Sequence, residues 1–178
     1  FCALTLGNPS EVLELFAEVS MQMHSPEAIL APAYQMMGKP EEAKAVLQVG
    51  IYQHTLSLLD ILSSYLALCT DEPERYDETY NRALAVAEAF GIRVLHPSVL
   101  MKFLIVAAQG YVTLGNTEKA LDILEEYAEL VTGDIYPLQL KGDDFFNLLD
   151  DWFKEFPLGT ALPRDERIIR QSMTEGVV

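Results

Sequence analysis

The four residues Thr-Leu-Gly-Asn occur twice, opening "TLGNPSEVLEL" at Thr5–Leu15 and "TLGNTEKALDI" at Thr113–Ile123, with acidic and apolar residues following in matching order. Gly7 and Gly115 each end an apolar helical pattern, and Asn, Ser, Thr or Glu opens the next. That is the order of a left-handed C-terminal glycine followed by an N-terminal cap, so the phrase joins two antiparallel helices. A third copy is "MMGKPEEAKAVL", where Gly38 stops one helix and Pro40 occupies the first turn of the next, where a missing N–H costs nothing. A fourth, "LCTDEPERY", carries Asp71 and Pro73 in place of the glycine. The first three turns fall ~31–33 residues apart, the period of a helix-pair repeat, and the last gap is longer.

Two units superimpose at identical spacing. One reads Leu30-Ala31, Tyr34, Gly38, Ala43, Leu47 and Gly50; the other reads Ala107-Ala108, Tyr111, Gly115, Ala120, Leu124 and Tyr127. Ala31, Ala43, Ala108 and Ala120 are small enough for neighbouring helices to approach, and Tyr34 and Tyr111 fill the space between pairs. This pattern resembles the tetratricopeptide repeat, whose first helix carries Leu-Gly/Ala and Tyr and whose second carries Ala, a large apolar residue and a small one. Gly50 fits the last small position. Tyr127 departs from it, and Glu27 and Leu104 stand where the repeat has an aromatic. A third unit matches through Tyr80 and Ala83-Leu84.

The expected fold is therefore all-α: a tetratricopeptide-like right-handed superhelix of antiparallel pairs, about 8–9 helices in all. One helical-repeat domain spans 1–178, with a partial unit at 9–21 and units at 26–51, 54–90 and 97–131. Helices are expected at about 26–37, 41–51, 54–69, 73–90, 97–114 and 117–131. An atypical pair at 142–155 and 164–174 closes the chain, the first helix capped by Asp143 or Asp144 and carrying Phe145, Phe146, Leu149, Trp152 and Phe153 at helical spacing. It reads as an end cap for the stack, because terminal units must avoid exposing apolar surface.

Composition narrows the function. Half the residues are hydrophobic and 22% are charged, enough apolar content for a buried core. No apolar run approaches the ~20 residues of a membrane span, so no membrane partner is expected. There is no basic stretch followed by a small-residue cleavage site, and the two cysteines, Cys2 and Cys69, lie far apart as expected of buried thiols in a reducing, cytoplasmic compartment. A formal charge of −15 opposes nucleic-acid binding by this segment. Arg164, Arg167 and Arg170, one of the few basic clusters, are too few to reverse that.

Catalytic chemistry finds no foothold. His24, His54 and His96 have no metal-ligand spacing. Glu125-Glu126, Asp143-Asp144 and Asp150-Asp151 are adjacent in sequence, and neighbours on a helix point about 100° apart, so they do not converge on one substrate. No phosphate-cradling loop or GxSxG elbow is present. No enzyme activity, cofactor or metal is expected.

What remains is surface. In tetratricopeptide repeats the first helix of each pair lines a concave groove that holds an extended peptide or a helix. The corresponding positions are Gln35 and Met36, Tyr65, and Lys102, Gln109 and Thr113. Lys102 and Gln109 interrupt the apolar "LMKFLIVAAQGYV", which a purely buried helix would not require.

Three longer stretches, "KAVLQVGIYQHTLSLLDIL", "HPSVLMKFLIVAAQGYVTLGNTEKALDILEEYAEL" and "LKGDDFFNLLDDWFKEF" with "LPRDERIIRQSM", resemble the region that follows the DNA-binding domain in bacterial Cro/repressor-type (XRE family) helix-turn-helix regulators. The resemblance implies a repeat domain that dimerises or receives a peptide or protein signal. It also implies a DNA-binding domain upstream of Phe1, since no basic recognition helix is present in this chain. The alternative is a stand-alone tetratricopeptide adaptor that scaffolds other proteins.

Overall fold

The computed structural model describes residues 25–133 and 140–155, together with Arg167 and Gln171. The expected helix at 9–21, and the expected 164–174 helix apart from those two residues, lie outside the described residues. Among the described residues every regular element is helical. They are α1 (Pro26–Met36), α2 (Pro40–Leu68), α3 (Pro73–Ala89), α4 (Ile92–Leu95), α5 (Pro97–Thr113), α6 (Thr117–Thr132) and α7 (Leu149–Glu155). Four of them begin on a proline, whose fixed φ suits the first helical position.

The two aligned turns close in the same way. After α1, Gly38 N–H donates to Gln35 O and Lys39 N–H to Tyr34 O, both at 3.0 Å. After α5, Gly115 N–H donates to Val112 O at 3.0 Å and Asn116 N–H to Tyr111 O at 2.8 Å. These are the paired bonds of a Schellman motif, and they need a left-handed residue at the glycine, found at φ 73° and 78°. The glycine-free turn after α2 instead uses Glu72 N–H to Cys69 O at 3.0 Å.

One expectation is overturned here. In place of separate helices at 41–51 and 54–69, α2 runs unbroken for 29 residues. Nothing in "GIYQHTLS" stops a helix, and the hydroxyls turn inward: Thr55 Oγ1 donates to Ile51 O at 2.7 Å and Ser63 Oγ to Leu59 O at 2.7 Å. Satisfied at i−4, they do not compete for another backbone conformation. Gly50 is accommodated because Glu27 of α1 fills the space above it; an added Cβ would lie 2.7 Å from Glu27 Cγ. So α2 serves as the second helix of one pair and the first helix of the next.

The main core lies between α2, α3, α5 and α6, around Leu59, Leu66, Tyr76, Phe103, Leu104 and Tyr111. Tyr76 drops onto Gly110, where an added Cβ would come within 1.9 Å of its hydroxyl, and donates to Ala107 O at 2.9 Å. Tyr76 and Tyr111 meet edge to face at 4.9 Å. Ala31, Ala43, Ala108 and Ala120 are all buried, as close helix approach requires. Cys69 is a buried free thiol.

The segment at 142–148 also departs from expectation. It forms bends and turns, and the helix starts only at Leu149. Asp143 Oδ1 accepts from Phe145 N–H at 3.0 Å and Phe146 N–H at 2.7 Å, so it caps a turn and not a helix. Asp150 reaches back to Gly142 N–H at 2.7 Å, and an added Cβ on Gly142 would meet Phe146 O at 2.0 Å. Phe146, Leu149 and Phe153 are buried with Tyr52 and Leu95, while Phe145 stays exposed. This segment folds back against α2 and α4. Gln48 of α2 clamps it, donating to Phe145 O at 2.8 Å and accepting from Leu148 N–H at 2.9 Å.

Candidate functional site

The candidate groove residues separate into three places. Lys102, Gln109 and Thr113 follow one another on α5 at intervals of 7 and 4, which places them on one face, and all three are exposed. Tyr65 lies near the C-terminal end of α2 and is 43% exposed. Lys102 reaches Asp60 of α2, so Lys102, Gln109 and Thr113 border the surface between α2 and α5; Tyr65, five positions beyond Asp60 and so about 140° round α2, instead faces Arg75 of α3. Gln35 and Met36 are exposed on the last turn of α1, next to the start of α2. At 1.5 Å per residue that start lies roughly 37 Å from Tyr65, so the six do not form one site.

Within the α2–α5 surface, Lys102 Nζ bonds Asp60 Oδ1 at 2.5 Å, and both side chains remain largely exposed. The pair accounts for a lysine in an apolar helix: it neutralises the charge that α2 presents beside it. Thr113 Oγ1 donates to Gln109 O at 3.0 Å, leaving the Gln109 amide turned toward solvent. Tyr65 stands by Arg75, whose guanidinium is held above its ordinary value by Glu72 first and by Tyr65 after it.

Tyr34 and Tyr111, which hold matching positions in the two aligned stretches, differ. Tyr111 is fully buried and donates its hydroxyl to Asp77, with the Lys119 ammonium 5.5 Å from its ring centre. Burial and that carboxylate push its pKa up. Tyr34 is half-buried, at the edge of a groove shared with Val49 and Trp152.

A second groove, of about 350 Å³, lies along the outer side of α2 between Ser25 and Glu27 on one edge and Phe90 on the other. Leu47, Ile51, His54 and Leu58 form its floor. His54 Nε2 lies 3.3 Å from Glu27 Oε2. The Glu27 carboxyl sits below its usual range, first through its own backbone N–H, then with His54 contributing. This surface escapes a reading that divides α2 in two. Its signal is the spacing of apolar residues through the junction.

Several other titratable groups have structural partners, while His24 lies outside the described residues. Glu126 pairs with Arg93 at 2.6 Å and Asp151 with Lys154 at 2.7 Å. Half-buried His96 Nδ1 lies 2.5 Å from Tyr52 Oη; desolvation lowers the His96 pKa and raises that of Tyr52 to about 12. Among the described residues no three His, Cys, Asp or Glu side chains are grouped to hold a metal ion, and no helix is long and apolar enough to cross a membrane. No protein-family model, curated protein or solved structure matches this chain.

Proposed function

We propose that this chain is a protein- and peptide-interaction domain that also dimerises, the signal-receiving part of a cytoplasmic bacterial helix-turn-helix regulator, with DNA contacted only through a domain outside Phe1–Val178. The observation that carries the interaction reading is the α2–α5 surface. Lys102, Gln109 and Thr113 are presented outward on α5, whose inner face joins the core shared with α2. A rigid helix face with exposed amide and hydroxyl groups suits an extended peptide, whose backbone needs hydrogen-bond partners and whose side chains need shallow contacts. The regulator part rests on the resemblance of the three stretches quoted above, and the superhelical stacking of tetratricopeptide repeats belongs to the same reading. No catalytic role is proposed.

Calorimetric titration of the chain with a panel of peptides tests the interaction. A binding peptide should lose about tenfold or more in affinity with Gln109→Ala or Lys102→Ala, a loss of ~1.4 kcal/mol. Binding that ignores both substitutions places the site elsewhere. DNA binding by the full gene product, with and without that peptide, tests the regulator part. A gene product lacking any DNA-binding module leaves the stand-alone adaptor.

A further inference from the structure

We infer that the outer face of α2 is a self-association seam, covered by a second copy of this chain. This deepens, and rests on, the dimerisation part of the proposed function by naming the surface and its occupant.

Leu47, Ile51, Leu58, Ile61, Tyr65 and Leu68 recur at alternating intervals of four and three, with His54 filling the remaining position. The six apolar residues are 38–78% exposed. They lie about 130° round α2 from the face that Tyr52, Leu59, Ser63 and Leu66 turn into the core, with α1 covering Ala43 and Gly50 along one edge. An ordinary surface helix is polar there, and a helix apolar on all sides is a buried one. A 3.5-residue period sustained over three heptads is the spacing of a seam between two helices.

Two observations favour a second copy as the occupant. The first is charge. In a chain of formal charge −15, α2 carries one charged residue between Ala45 and Leu68, Asp60, and Lys102 of the same chain neutralises it. Two strongly acidic copies meet without repulsion only across such a face. The second is area. The exposed parts of the seven seam residues total on the order of 700 Å² per copy, close to the ~800 Å² per partner of a standard stable interface.

The seam also pairs with itself. An antiparallel two-fold between Leu59 and Asp60 sets Ile51 on Leu68 of the second copy, His54 on Tyr65 and Leu58 on Ile61. Of the six layers so formed, four are apolar and two, related by the two-fold, set an imidazole on a phenol that can hydrogen-bond to it, while Leu47 lies beyond the paired stretch. A parallel pairing would set imidazole against imidazole.

Sedimentation equilibrium of the full chain tests the seam. The wild-type chain should be a dimer, and Ile61→Asp should weaken it at least about 100-fold with unchanged far-ultraviolet circular dichroism, since Ile61 is 63% exposed and outside the core. If Ile61→Asp unfolds the chain, Leu68→Gln, at a 78% exposed position, reads the same contact. In a Cys2→Ser background, Ile51→Cys combined with Leu68→Cys should form an intermolecular disulfide, and neither alone should; their ~26 Å separation along α2 prevents a bond within one chain. A dimer indifferent to Ile61→Asp and Leu68→Gln overturns the seam and leaves dimerisation standing. A chain that is monomeric at every concentration overturns both, whether residues 1–24 or a bound peptide covers the face. Cross-linking by either single cysteine overturns the antiparallel pairing.

Discussion

The turns at Gly38 and Gly115 carry the same pair of backbone hydrogen bonds and nearly the same glycine φ, yet the helices they join end in different surroundings. At Gly115, Tyr111 is fully buried and Ala108 and Ala120 pack between α3, α5 and α6. At Gly38, Tyr34 is half-buried, and Met36 and Met37 are 89% and 67% exposed. The local turn therefore fixes how two helices are joined, while the helices alongside fix what the pair buries. Equivalent positions in a repeat are equivalent in geometry before they are equivalent in energy.

The largest expected effect separates two helical glycines that make close approaches in these two hairpins. Gly110→Ala drives a Cβ to 1.9 Å from the buried Tyr76 hydroxyl, which has no room to retreat without abandoning its bonds to Ala107 O and Val106 O. It should cost about 2–4 kcal/mol of unfolding free energy. Gly50→Ala sets its Cβ 2.7 Å from Glu27 Cγ and 3.0 Å from Glu27 Cβ, near the root of that side chain, so α1 must give way, while alanine's better helix propensity offsets ~1 kcal/mol of the strain. It should cost about 1–2 kcal/mol, less than Gly110→Ala. Urea unfolding of both variants decides the matter; equal losses would mean that the two approaches are equally rigid.

The second effect is pH-dependent and sharpens the contrast between the main core and the smaller aromatic cluster. Tyr76 in the first and Tyr52 in the second both have pKa values raised by burial from 10.0 to about 12. Above pH 10 the unfolded chain releases these protons while the folded chain keeps them, so stability is whole below about pH 10 and falls as the pH rises toward 12. Each tyrosine removes up to about 1.4 kcal/mol per pH unit in that window. Tyr52→Phe should flatten the decline measured by urea unfolding between pH 9.5 and about 11. An unchanged slope would show that Tyr52 does not stay protonated. At the acid end half-buried His96, with its pKa lowered by desolvation, erodes stability as the pH drops below 6.5, where the unfolded imidazole takes up a proton first.

These contrasts mark what was legible in the sequence. Gly38, Gly115, Pro40 and Pro97 act through the backbone of their own turns, so their roles show in a few consecutive residues. The partners of Gly50 and Gly110, Glu27 and Tyr76, lie 23 and 34 positions away, and no local pattern joins them. The false break near residue 52 arose because a repeat length was imposed where "IYQHTLS" contains no helix-stopping residue. Dividing α2 also hid the seven-position seam, which is continuous only on an unbroken helix. The exposed positions of α5 were readable from its polar interruptions. The Asp60 partner of Lys102, across 42 residues, was not. At 142–148 the helical spacing of aromatics was misleading, because Asp143 folds a turn that delivers the same side chains to the same cluster.

Exchanging the turn glycines tests whether the two hairpins share a local energy. An added Cβ meets nothing within 4 Å at Gly38 or Gly115, so Gly38→Ala and Gly115→Ala should each lose about 1–2 kcal/mol, from left-handed backbone strain alone. Thermal unfolding should place the two losses within ~0.5 kcal/mol of each other. A much larger loss at Gly115 would mean that its surroundings, and not the turn, hold the strained conformation.

The smallest effect would make one turn chemically match the other. Asn116 caps α6, its side chain accepting from Lys119 N–H at 3.2 Å, whereas Lys39 begins α2 without a side-chain cap. The backbone at the two positions is close, φ −116° and ψ 66° at Lys39 against −91° and 71° at Asn116, so an asparagine at 39 should reach the corresponding N–H of Glu42. Lys39→Asn sacrifices only a 3.8 Å ion pair between half-exposed side chains, and removes a positive charge from the end of a helix that disfavours one. It should gain about 0.5–1 kcal/mol, and Asn116→Ala should lose a similar amount. If calorimetric melting shows the loss without the gain, the first turn of α2 is held by its contact with α1, and its cap is redundant.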